Sequence, residues 1–214
     1  MNYGDIKSHF DSLLNRGDIT SALTTTFIDQ GISRIQRQLR TPLNENVSTY
    51  SISGQTGSFT LPNDFLEIIS LYYDDQELQR IPMSKHRAVA SNPVAGSPTT
   101  FVRQQSTLEV HPQPTSGNLV LYYYAEFPAM TANSDENALA AVAPDLIIYA
   151  ALTYASDYYL DERAPLFESK YSQFLSEIQE QANDQEMNGG IQSIQPTYTY
   201  TCLLYTSPSP RDSD

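Results

Sequence analysis

The spacing of apolar and polar positions changes period twice along the chain. Tyr3, Ile6, Phe10, Leu13 and Leu14 recur at intervals that keep one face of a helix apolar. Arg16-Gly17-Asp18 is expected to end that helix, since glycine is the usual residue just past a helix C-terminus. The triplet also spells an integrin-binding motif, but a helix-to-helix turn explains it better. A second helix is predicted over residues 21–39, with Leu23, Phe27, Ile32, Ile35 and Leu39 on its buried stripe. Arg34, Arg37 and Arg40 gather toward its C-terminal end, where cations suit the helix dipole, and Thr41-Pro42 stops it. Two helices joined by a short turn form an antiparallel hairpin.

The period then falls to two. Tyr50 and Ile52 alternate with serines, residues 54–57 form a turn, and Phe59 and Leu61 resume the alternation. Residues 66–73 are apolar on both faces and read as a central strand. Asp74-Asp75 turns the chain, residues 76–81 return it, residues 84–90 suggest a short helix, and 91–98 are loop. Strands follow over 101–103, 107–111 and 118–127, the last two flanking residues 112–117 as a hairpin loop. Residues 47–127 thus read as an antiparallel meander of six or seven strands.

Helical spacing returns near Ala138. Pro144-Asp145 fits a first helical turn, and Leu146, Tyr149, Leu152 and Leu160 continue the pattern. Ala150, Ala151 and Ala155 would let another helix approach closely. A last helix begins near Pro165, with Phe167, Tyr171, Phe174, Leu175 and Ile178 as its stripe, and Gly189-Gly190 stops it. The expected fold class is α+β. Residues 1–42 and 136–188 make a four-helix bundle, two helices from each side of an inserted antiparallel β domain over 43–135, and 189–201 form an extended C-terminal arm.

Composition narrows the function. Twelve Lys and Arg face 25 Asp and Glu, a formal charge of −13, and the sequence pI is near 4.4. Gripping nucleic acid needs clustered cations, so such a chain is a poor candidate for it. No apolar run reaches the ~20 residues of a membrane span, and no basic-then-apolar leader opens the chain. Residues 202–212 read CLLYTSPSPRD, which resembles, residue for residue, a translated transposon-end adapter used in sequencing libraries. Residues 202–214 are therefore set aside as non-native, and the natural protein is expected to continue past Thr201. Removing Arg211, Asp212 and Asp214 takes away one cation and two anions and leaves −12. The single cysteine goes with that segment, leaving no thiol chemistry.

Catalytic chemistry is sparse. His9 lies on the first helix, His86 sits in the basic run Lys85-His86-Arg87, and Glu109 and His111 share one face of a strand, where a relay or half a metal site is conceivable. Such a strand pair is more often a surface pair. Asn63-Asp64, Asp74-Asp75 and Asp161-Glu162 have no matching ligand cluster, and no phosphate loop, calcium loop, zinc-protease helix or nucleophile elbow is present. No enzyme activity, cofactor or metal is expected. Fifteen tyrosines with no tryptophan point instead to contacts. Tyr198 and Tyr200 alternate with threonines in a segment without a core of its own, which suits docking on a partner by strand addition.

Several phrases carry a family resemblance. Tyr3-Gly-Asp-Ile-Lys, Phe27-Ile-Asp-Gln-Gly-Ile-Ser-Arg-Ile-Gln-Arg, Leu61-Pro-Asn-Asp-Phe-Leu-Glu-Ile, Leu108-Glu-Val-His-Pro-Gln-Pro, Leu121-Tyr-Tyr-Tyr, Pro144-Asp-Leu-Ile-Ile-Tyr-Ala-Ala-Leu and Asp161-Glu-Arg together resemble tailed-phage head-to-tail adaptors of the podovirus type. The resemblance covers nearly all of residues 1–201. It implies a ring, typically twelvefold, between the portal and a tail or nozzle protein in the neck of the virion, assembled in the host cytoplasm, with DNA passing through the lumen. It also implies that the C-terminal segment docks on the portal, here through Ile191, Ile194, Tyr198 and Tyr200. An acidic lumen wall would repel phosphate. Between ring neighbours, Arg34, Arg37 and Arg40 could face Glu177, Glu180 or Asp184, although a solvated charged face explains them equally well. The alternatives are another tail or baseplate protein, a small hydrolase using Glu109 and His111, and a carbohydrate-binding module displaying tyrosines.

Overall fold

The computed structural model describes residues 1–91 and 94–187. Among them the order is α1 (Tyr3–Leu14), α2 (Ser21–Gln38), a 3₁₀ turn (Pro42–Asn44), β1 (Glu45–Ser53), β2 (Ser58–Thr60), β3 (Phe65–Tyr73), β4 (Gln76–Glu77), β5 (Gln79–Arg80), α3 (Met83–Ala90), β6 (Thr100–Gln104), β7 (Thr107–His111), β8 (Ser116–Ala125), α4 (Ala138–Val142), α5 (Pro144–Tyr159) and α6 (Ala164–Met187). The fold is α+β.

Local chemistry sets the helix ends. The Asn2 side chain accepts from the Asp5 amide at 2.8 Å and starts α1. The expected stop at Gly17 is displaced: Asn15 takes the left-handed conformation (φ 53°) and its amide closes on the Asp11 carbonyl. Asparagine is one of the few residues that tolerate this cap. Thr20 caps α2, and the buried Thr24 hydroxyl donates to Asp11 at 2.8 Å, tying the two helices. Pro144 opens α5 at its first turn, where no amide proton is needed. Leu160, expected on the α5 stripe, instead ends that helix at φ 53° and is 88% exposed.

One apolar core joins helices from both sides of the β segment. α5 lies in the middle, packed against α1, α2 and α6. Its Ala150, Ala151 and Ala155 are fully buried, and the close neighbour they admit is α2, at Gly31. A methyl group at Gly31 would stand 2.8 Å from the Ala151 amide nitrogen.

The strands form two four-stranded sheets, ordered β1-β8-β3-β4 and β2-β7-β6-β5. This departs from the expected meander. The first strand pairs with the last, along Glu45↔Tyr124 to Ser53↔Ser116, and β5 runs parallel to β6. Residues 112–115 are not a hairpin loop either, because β7 and β8 belong to different sheets. The sheets pack face to face over Leu71, Tyr73, Leu119, Leu121 and Tyr123 from one and Phe59, Phe101, Leu108 and Val110 from the other. Since side chains alternate along a strand, Val102 and Glu109 point out of the second sheet, where α3 lies over β6 and β7. Among the described residues no helix packs on the outer face of the first sheet.

Candidate functional site

The cations at the end of α2 find partners within their own chain. The Arg34 guanidinium forks onto Glu168 of α6, with Nη1 donating to Oε2 at 2.9 Å and Nη2 to Oε1, and Nη1 also reaches Thr153 Oγ1 at 3.1 Å. It stacks 4.0 Å above the Tyr171 ring, so one side chain holds α2, α5 and α6 together. The hydrogen bonds from Arg34 hold the Glu168 carboxyl below its ordinary range. Arg40 donates from Nε to Glu67 at 2.9 Å and from Nη1 to the Gln36 and Leu39 carbonyls, joining the last turn of α2 to β3. Among the described residues Arg37 reaches only the Tyr154 hydroxyl, at 3.4 Å. Glu177, Glu180 and Asp184 are exposed on α6, and among the described residues none of them is paired with a cation. Sequence reasoning missed Glu168 and Glu67 as the partners of Arg34 and Arg40. Glu168 lies three residues before Tyr171, one helical turn away on the same side of α6, which was the available signal. Ile191, Ile194, Tyr198 and Tyr200 lie outside the described residues.

The basic run of α3 is divided by the helix. Lys85 and Arg87 are exposed, while His86 is 3% exposed and its Nε2 lies 3.0 Å from Glu109 Oε2. Glu109 is thus taken by His86 rather than by His111, its expected companion. His86, Glu109 and His111 do share a shallow cleft of about 440 Å³ with Gln55, Ser58 and Gln113. A serine- or threonine-type hydrolase would need a hydroxyl bonded to one of these imidazoles. Among the described residues no side-chain hydroxyl bonds either ring, and His86 Nδ1 is buried without a partner. No group of three His, Cys, Asp or Glu there has the geometry to hold a metal ion. What the arrangement does is fasten α3 to the second sheet.

Among the described residues the outer face of the first sheet is uncovered and concave. Val47 and Tyr122 pair across β1 and β8, while Tyr72 and Val120 pair across β3 and β8. An irregularity in β3 between Ile68 and Ser70 leaves Ile69 exposed beside them. Together they floor a concavity of about 790 Å³ with Glu45, Asp74 and Asp75 exposed around it. Val47 is 50% and Tyr122 41% exposed, unusual for large apolar groups standing next to one another. Asp74 and Asp75 both turn through positive φ, and Asp74 Oδ1 accepts from the Asn118 amide at 2.9 Å, which fixes that end of the rim. The Tyr72 and Tyr122 rings meet edge to face at 83°. A sugar-binding module would present a flat platform of rings, which this crossed pair does not form. The inward tyrosines do different work: Tyr123 donates to Asp64 at 3.1 Å, and burial, reinforced by that carboxylate, pushes its phenol up to about 12.

Among the described residues no helix is long and apolar enough to cross a membrane. No curated protein matches the chain. The model of the SU10 adaptor protein family matches residues 1–193, spanning the helices on both sides and both sheets between them. The chain belongs to the SU10 adaptor protein family, whose members are structural phage head-to-tail adaptors.

Proposed function

We propose that copies of this chain form a ring, a dodecamer, between the portal and a tail or nozzle protein in the virion neck, and that DNA passes through its lumen without being held. The match to the adaptor family over residues 1–193 carries this reading. In it, residues 1–42 and 136–188 form the helical body, 43–135 the inserted β domain and 189–201 the arm that docks on the portal through Ile191, Ile194, Tyr198 and Tyr200. The protein works by shape and contact and catalyses nothing. The net charge of −12 on residues 1–201, which remains once Arg211, Asp212 and Asp214 are set aside, suits a conduit that DNA must leave freely. Arg37, with no carboxylate partner among the described residues, is the cation of its group best placed to meet Glu177, Glu180 or Asp184 of a neighbour.

The test is assembly. The protein with its genuine C-terminus in place of residues 202–214, mixed with the portal of the same phage, is expected to form rings stacked on it, visible by negative-stain microscopy and cosedimentation. Replacing Ile191, Ile194, Tyr198 and Tyr200 by Ala is expected to abolish attachment to the portal while leaving the melting temperature unchanged. A chain that stays monomeric and indifferent to portal would sink the proposal.

A further inference from the structure

We infer that the acid-rimmed open face of the first sheet is a subunit contact, and that its occupant is α3 of the next copy. This rests on the ring reading and names the two surfaces that build the ring. A ring of identical subunits needs two different patches on each copy, facing away from one another, so that contacts propagate head to tail. The two sheets supply that layout. The open face of the first sheet and the α3-covered face of the second point in opposite directions, with the sandwich core between them.

The patches complement each other in charge, shape and polarity. The open face is concave, floored by Val47, Ile69 and Tyr122 and rimmed by Glu45, Asp74 and Asp75. Among the described residues none of these acids is paired with a cation. On the other side α3 stands proud of its sheet. His86 is its only buried residue, and Lys85, Arg87, Ala88 and Val89 are all exposed, Val89 at 45%. Lys85 and Arg87 likewise have no carboxylate partner among the described residues. A knob with an apolar centre and two cations therefore meets a hollow with an apolar floor and three acids. Opposed charges at such a rim speed encounter and fix register, while the desolvated centre supplies the holding energy. The His86–Glu109 pair gains a purpose here, since it clamps the knob in place before the neighbour arrives.

The experiment uses full-length chains with two reversed patches. One variant carries Lys85→Glu and Arg87→Glu. The other carries Glu45→Lys and Asp75→Lys, with Asp74 left intact because it holds the Asn118 amide. All four positions are exposed, so melting temperatures near wild type should accompany the charge changes, apart from a small loss at Asp75→Lys, where the backbone is left-handed at φ 69°. Sedimentation velocity and microscopy are expected to show each variant needing about tenfold more protein than wild type to form rings. An equimolar mixture of the two should assemble like wild type, because each reversed patch then finds its opposite. Val89→Asp, which tests the apolar centre, should also weaken assembly. If both reversed variants assemble as wild type does, the ring stands and this contact is wrong. If the Glu45→Lys, Asp75→Lys variant keeps its rings but loses the portal, the face belongs to the portal and the inference fails. A wild-type chain that forms no rings, alone or on portal, overturns both the ring reading and this contact.

Discussion

Arg34 shows how one side chain can fix the relation of three helices. Its bidentate contact with Glu168, its bond to Thr153 and its stacking on Tyr171 together replace the hydration a lone guanidinium would lose on becoming largely covered. The acid side of the pair makes a pH prediction. The Glu168 carboxyl is held below its ordinary 4.5 in the folded chain. A depressed folded value means the stabilisation is fully present above the unfolded value and drains away as pH falls through the folded one. Glu168 is about half exposed, so the pair contributes on the order of 1 kcal/mol at neutral pH. Glu168→Gln is therefore expected to melt slightly earlier than wild type at pH 7, with the gap closing as pH falls below the ordinary carboxyl value of 4.5. Thermal melts across that range measure it, and a gap independent of pH would assign the loss to packing instead. The pair could be half read in advance: the spacing of Arg34, Arg37 and Arg40 marked a cationic helix end, but nothing in it distinguished partners on α6 and β3 from partners on a neighbour.

At the scale of elements, apolar periodicity located α1, α2, α5, α6 and β7 because each buries a stripe whose period is set by its own geometry. It could not tell which strands pair. Alternation assigns a residue to one face of a strand and is silent about neighbours, so β1 lying against β8 across more than sixty residues was out of reach. Cap preferences misled at Gly17 because Asn15, two residues earlier, satisfies the same left-handed requirement. The open-sheet face was missed for a related reason: Tyr72 and Tyr122 were legible as tyrosines, but only the pairing of β3 and β8 sets them side by side. Two predictions follow from how elements meet. Gly31→Ala places a methyl 2.8 Å from the α5 backbone, where neither helix can yield cheaply. The gain of about 1 kcal/mol in helix propensity is expected to be outweighed, for a net loss of about 1–3 kcal/mol in denaturant unfolding. A variant as stable as wild type would show that α2 can slide on α5. His86→Ala removes the one buried anchor of α3. Hydrogen exchange should quicken across residues 83–90 while strands β3 and β8 stay protected. Unchanged exchange there would mean that the pair does not hold the helix.

The whole molecule spends its cations sparingly. Of twelve Lys and Arg, Arg16, Arg34, Arg40 and Arg163 are already paired with Asp18, Glu168, Glu67 and Asp161 within the chain. Lys85 and Arg87 form the exposed basic surface of α3, which the inferred subunit contact would cover. Assembly should then bury one exposed basic surface and leave the surplus acids outward. Non-specific DNA binding draws its affinity from displaced counterions, so a ring of this composition has little to offer a duplex. The assembled chain is expected to leave double-stranded DNA unshifted in gel electrophoresis both at about 0.15 M salt and at tenfold lower salt, where screening is weakest. Subunit association, by contrast, should respond to the same change and strengthen as salt is lowered, because its rim is built from opposed charges. Retention of DNA that grows steeply at low salt would mean that cations line the lumen after all, and would contradict both the passive conduit and the burial of α3.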